Sequence, residues 1–455
     1  MQGKLQRSLS LGGSVALIVG MVIGASIFVL VPALAGMTGP SLYIAYAVSV
    51  IPALLASLYL MQLGGALPVT GAGYIIITRL ISPMVGVVMS LAAVISIIST
   101  ICLVAWGFAQ YIAVYIPGIS LMGCAVGIII FFGLINWMGV KIFEWVQVLM
   151  FLLLIAGMLI FAIPGLFHIH PEYLVPLFPN GMGKFITVIA VATFSWAGFI
   201  CITEVAGEVK NPKKTIPLAI IISLFIVLVL YTAQTYVFVG TAPWAESSKL
   251  GPTAVLVNAR TFLPEWLVTM IAVGAILAMT TTINALMLLA AREALAWSRD
   301  QVLPIVFSRI NKRFNTPEVT ILLMTLVSII GVSFAASLEK YALMVVFATM
   351  LLQIFGAIAV WRMPKGMPDV YNKALFKFSP FWRHFSMIAC VAVSGLLFLF
   401  GWLADYKTGI VFTGLMLFGV VYWFWRRAYM KKQGVELDSS LLKVGQETLA
   451  ELEEL

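Results

Sequence analysis

From residue 84 to residue 115 the chain carries no charged side chain, and that run is one of twelve. A helix needs about 20 apolar residues to cross a hydrocarbon core of roughly 30 Å. Runs of this kind lie near 14–35, 41–64, 84–115, 121–138, 144–167, 183–206, 216–240, 265–296, 318–335, 339–361, 385–403 and 409–426. Only 10% of residues are charged, against about 25% in a soluble domain. The expectation is an all-α membrane protein with about 12 transmembrane helices. The first run is too long, and too weakly basic in front, for a cleavable leader, so it counts as span one.

An even number of spans puts both termini on one side, and the basic residues decide which. Of the 27 Lys and Arg residues, 22 fall in the tails and alternate loops on one side; the other five are Lys184, Lys249, Arg260, Lys340 and Lys407. This bias predicts cytoplasmic termini, residues 1–13 and 427–455, and a multi-pass protein of the cell membrane. It also accounts for the net charge of +9 without nucleic acid, since the cations flank anionic lipid.

Catalytic signatures are missing. The sequence holds no HExxH, GxSxG or Walker-type GxxxxGK[ST] segment, so neither an enzyme nor a pump driven by its own nucleotide site is expected. Cys102, Cys124, Cys201 and Cys390 lie in apolar runs without paired spacing and read as buried small hydrophobes. His168, His170 and Glu172 sit in one loop, where a solvated turn explains them as well as metal binding would, and two ligands on a loop do not make a site.

Two spans are interrupted by small residues. The first carries Ile23-Gly24-Ala25-Ser26 and the sixth Ser195-Trp196-Ala197-Gly198, five spans apart. Small residues allow close helix packing in lipid, yet matched interruptions in two halves are also the mark of a transporter binding site. Where a helix unwinds in lipid, its freed N–H and C=O groups must face protein or a polar cavity. Amides at Gly24, Ala25 and Ser26 would suit a carboxylate, and carbonyls of Ile23, Phe194 and Ala197 an ammonium group. A zwitterion satisfies both. The tail beyond Lys432 is acidic with leucines at near-helical spacing, which leaves a short surface helix and a frayed end both open.

The stretches GMVIGASIF, LPVTGAGY with Arg79, AGFICITEVAGEVKNPKKTIP, and NALMLLAAREALAWSRDQVLP followed by NTP resemble the amino acid–polyamine–organocation transporters. The resemblance implies the five-plus-five inverted-repeat fold of sodium-coupled neurotransmitter-type transporters, with broken helices 1 and 6 and alternating access. The repeats would be 14–167 and 183–361, with 385–426 forming two further spans. It places substrate on Ile23, Gly24, Ala25 and Ser26 and on Phe194, Ser195, Ala197 and Gly198. Phe194 falls where relatives keep an aromatic over the substrate, while Trp196 and Phe199 read as packing.

Three positions depart from that pattern. Ser26 stands where relatives have a glycine, Ile200 where many carry a glutamate, and no lysine lies between Trp145 and Phe167. Glu204 is a rare charge within a span, read as a proton-binding group, an amine contact or a residue of a hydrated inner vestibule. Thr281 and Thr282, beside Thr280, either bond their own helix or join carbonyls near Gly20 and Ile23 in an oxygen cage. Na⁺ or H⁺ is thus the candidate coupling ion, and no other cofactor is expected. These readings converge on a secondary transporter, permease or exchanger, of a small neutral amino acid. A transporter of an amine or polyamine and a transport-inactive sensor are the alternatives, and oligomeric state stays open.

Overall fold

The computed structural model describes residues 10–23, 26–66, 72–139, 144–200, 209–311, 313–314, 316–334, 336–374, 377–439 and 441–442. Gly24, Ala25, Cys201 and Glu204 lie outside them. Every regular element among the described residues is helical. The first half holds α1 (Leu11–Val22), α2 (Ser26–Val29), α3 (Val31–Thr38), α4 (Leu42–Val48), α5 (Val50–Ala66), α6 (Ala72–Leu80), α7 (Pro83–Tyr115), α8 (Leu121–Trp137) and α9 (Glu144–Gly165). The second half runs from α10 (Gly181–Ala192) into a 3-10 segment, Thr193–Ile200. Then come α11 (Pro212–Thr241), α12 (Trp244–Ser247), α13 (Ala254–Ala259), α14 (Glu265–Arg299), α15 (Glu318–Ser333), α16 (Leu338–Gly366), α17 (Pro368–Lys373), α18 (Pro380–Ala404) and α19 (Tyr406–Lys432).

Among the described residues, ten helices are long and apolar enough to cross a membrane. The other two apolar runs form α8 and α15, of 17 and 16 residues. At 1.5 Å per residue each covers about 25 Å, short of the roughly 30 Å core. Helix starts are set by local chemistry. Ser82 precedes Pro83 and accepts from the Val85 N–H at 3.2 Å; Ser120 and Asp405 cap α8 and α19 in the same way. Each cap satisfies an amide that has no partner within its helix.

Packing follows a regular scheme. Helix α7 packs on α8, α14, α15 and α16, while α14 packs on α15, α7, α8 and α9. Helix α1 packs on α11, and the 3-10 segment packs on α5 and α1. Outward faces stay apolar, as at Leu152, Phe225, Leu322 and Phe418, all more than half exposed. Such a belt suits lipid and would be a liability in water.

Inside the bundle, polar side chains pair between helices. Asn136 of α8 donates one amide hydrogen to its own Phe132 carbonyl at 2.8 Å and another to Asn284 Oδ1 of α14 at 2.9 Å. Ser394 of α18 donates to Gln353 Oε1 of α16 at 3.0 Å. Bonds of this type hold membrane helices in register. Cys102 and Cys390 are buried and unpaired. His170 lies 3.2 Å from Glu172 on the exposed 166–180 loop, and the described residues contain no cluster suited to a metal.

Candidate functional site

The first apolar run does not continue as one helix. Helix α1 ends at Val22, the Ile23 N–H bonds back to the Val19 carbonyl at 2.8 Å, and Ser26–Val29 is helical again. A helix end leaves its last carbonyls without internal partners. In the sixth run the winding tightens at Thr193, two residues before the small-residue stretch. There the Thr193 hydroxyl donates to the Ala190 carbonyl at 2.6 Å, a side-chain bond that competes with regular helix.

The two interruptions meet. A Cβ placed on Gly198 would lie 2.5 Å from the Met21 carbonyl oxygen and 2.8 Å from Val22 Cα. Only a residue without a side chain lets the backbones cross this closely. Ile23, Ser26, Phe194 and Ser195 are all buried beside the crossing, and Ala197 is half-buried.

Sequence reasoning missed the side chain that joins them. Tyr231, fully buried in α11, donates its phenol to the Val22 carbonyl at 2.8 Å and lies 3.3 Å from the Ser195 carbonyl. Its oxygen is also 3.4 Å from Ser26 Oγ. One phenolic proton serves one carbonyl at a time, so the arrangement has two acceptors and a second hydroxyl competing around a single donor. Tyr46 and Trp196 set their rings edge-on to Tyr231, with centroids at 5.8 and 5.5 Å. Trp196 is fixed in turn by its Nε1–H, 2.8 Å from Ser49 Oγ. The hydroxyls of Ser195 and Tyr46 are buried neighbours that face each other, with no further hydrogen-bond partner among the described residues. The available signal for Tyr231 was a phenol amid IVLVLYTAQTYVF; nothing local named its acceptors.

The candidate cation residues are not gathered in the same way. Thr281 donates to the Leu277 and Ala278 carbonyls at 3.1 and 2.9 Å, and Thr282 to Ala278 at 2.8 Å. Gly20 faces α9 instead, where a Cβ would stand 3.2 Å from the Phe151 ring.

Nearer the chain's tail, a second polar group links α6, α7 and α14. Trp297 Nε1 donates to Ser90 Oγ at 2.7 Å, Ser90 donates to Glu293 at 3.2 Å, and Tyr74 donates to Asp300 at 3.2 Å. Burial raises the Asp300 carboxyl above its ordinary range, partly offset by the Tyr74 bond.

Comparison with known proteins places this geometry in context. A model described as amino acid permease matches residues 9–429. An uncharacterized protein of Methanocaldococcus jannaschii is 29% identical over 435 residues, 91% of this chain and 95% of its own. A branched-chain amino acid permease of Bacillus subtilis is 25% identical, covering 80% of this chain and 83% of its own. An aspartate-proton symporter of the same organism is 29% identical, covering 72% and 67%.

Proposed function

The chain belongs to the amino acid permease family, and from that premise we propose that it is a secondary transporter moving a small neutral amino acid by alternating access. The observation that carries the reading is the crossing of two interrupted helices at Gly198, with carbonyls and hydroxyls converging on Tyr231. The substrate carboxylate would take the amides of the 24–26 segment and the neighbouring hydroxyls of Ser195 and Tyr46. Its ammonium would take carbonyls from Ile23, Phe194 and Ala197. Phe194 would cover the substrate, and Gly198 would keep the two backbones close.

The described groups at the crossing are uncharged, which favours a neutral side chain over arginine or a polyamine. Relatives named for a branched-chain amino acid and for aspartate support the amino acid head group and leave the side chain to the local residues. Ser26, with its hydroxyl on the Tyr231 side, is the residue we assign to selectivity.

Twelve crossings in two inverted repeats, with cytoplasmic termini, complete the proposal. Its support is an exchange symmetry in the packing. Replacing each of the first ten spans by the one five places away turns α7–α16 into α14–α9, α7–α8 into α14–α15, and α1–α11 into the 3-10 segment's contact with α5; all of these pairs pack. For coupling we propose Na⁺ or H⁺. Thr281, Thr282 and the Gly20 carbonyl are the candidates for the former and Glu204 for the latter.

Counterflow of labelled amino acids in proteoliposomes, with imposed Na⁺, pH and trans-substrate gradients, tests the whole reading. Preferred exchange of the cationic set rejects the neutral substrate. Flux absent under every gradient rejects a transporter in favour of a sensor.

A further inference from the structure

The last long helix is followed by QGVELDSSLL (433–442), a stretch that does not trail away from the protein. Helix α19 ends at Lys432, and the chain turns at Gly434 with φ of 80°. The Gly434 N–H donates to the Lys431 carbonyl and the Val435 N–H to Met430, both at 3.1 Å. This closing pattern reverses the chain at a helix end. Helix then resumes at Leu437.

The returning segment is amphipathic and seated. Leu437 and Leu441 are 1% and 4% exposed. On the other side Asp438 pairs with Arg427 at 2.7 Å, both of them substantially exposed. Leu441 and Leu442 close a cavity of about 20 Å³ against Tyr74, Ile75, Thr78, Arg79 and Asp300. That space admits one water at most, so the fit is close.

What lies beneath the segment is the junction of α6 with the end of α14. Tyr74 of α6 holds Asp300, the residue that ends α14, at 3.2 Å. The chain just after Asp300 is gripped from α19: buried Arg426 donates to the Gln301 carbonyl at 2.9 Å, and Tyr422 to Val302 at 2.8 Å. The same helix therefore fixes the end of α14 and delivers the segment that covers its contact with α6.

We propose that residues 434–442 are a latch that keeps the tail side of the protein shut by clamping α6 against the end of α14. The inference rests on the alternating-access reading, since a latch regulates only a side that opens. Its described contacts are those of Val435, Leu437, Leu441 and Leu442 and one exposed ion pair. Exposed pairs are weak, so the latch is built to release.

The test uses the full chain in proteoliposomes with Thr78→Cys as reporter, because Thr78 is 4% exposed beneath the segment. An impermeant maleimide is supplied on the tail side, and labelling of the parent chain without the added thiol is subtracted. Leu441→Asp should raise the labelling rate by about tenfold, the signature of a shifted open population, and should raise counterflow with it. Asp438→Lys, a surface change that leaves the core intact, should act in the same direction, and Arg427→Asp with Asp438→Lys should return labelling to the parent rate. Unchanged labelling in both single variants overturns the latch, as does faster labelling with unchanged counterflow in a transporting chain. Flux absent even from the parent rejects the transport reading, while the labelling rates still decide whether the segment closes this surface.

Discussion

The phenol of Tyr231 donates to the carbonyl of Val22 at 2.8 Å, so the end of α1 is completed by a side chain lying 209 residues further along. Buried carbonyls stripped of a donor cost about 1–3 kcal/mol. Tyr231→Phe keeps the ring contacts with Tyr46 and Trp196 and removes only the hydrogen bonds. It should lower the melting temperature in detergent and slow counterflow; equal stability and equal rate would show that the bond is dispensable.

Gly198→Ala introduces a methyl group 2.5 Å from the Met21 carbonyl oxygen. Overpacking of this kind costs about 1–3 kcal/mol, and here it also pries apart the two interrupted helices. Transport should fall further than stability. Gly12→Ala is the control, since nothing lies within 4 Å of its added Cβ; a similar loss in that variant would remove the crossing as the cause.

Ser26→Gly and Ser26→Ala separate two roles of one residue. Both delete the hydroxyl 3.4 Å from Tyr231, while only the first opens volume. If Ser26 sets selectivity, competition assays should show larger amino acids gaining on smaller ones in Ser26→Gly and less so in Ser26→Ala. Identical substrate profiles in all three chains would place the side chain outside the site.

Asp300 gives a pH signature. Burial raises its carboxyl above the ordinary 3.8, with Tyr74 pulling the other way. The folded chain thus binds this proton more tightly than the unfolded chain, so the contribution is full below the ordinary value and is lost as pH rises through the folded one. Asp300→Asn should therefore match the parent below the ordinary carboxylate range and become relatively more stable as pH rises above it. Melting curves of both across that rise check it; a difference independent of pH refutes the assignment.

Hydropathy and small residues are local properties, which is why the apolar runs and both interruptions were legible in the sequence. The apolar run at 121–138 said less about length, because α8 is capped at Met138 before it reaches full span. The sixth interruption begins at Thr193 and not at Ser195, since the Thr193 hydroxyl takes a backbone acceptor first. Tyr231, Tyr46 and Ser49 were invisible for a different reason. Their partners are groups on other helices, and a phenol in an apolar run looks alike whether it meets lipid or the open end of another helix. The partners of Asn284 and Gln353 were hidden in the same way.

Asn136 bears on how such a chain is made. Spans leave the ribosome in order, so α8 enters the bilayer long before α14 exists. A bare amide in hydrocarbon is costly, yet one Asn136 hydrogen already has the Phe132 carbonyl of its own helix, 2.8 Å away. The other then awaits Asn284. The first bond can thus form within α8 alone, whereas the second requires the later half of the chain.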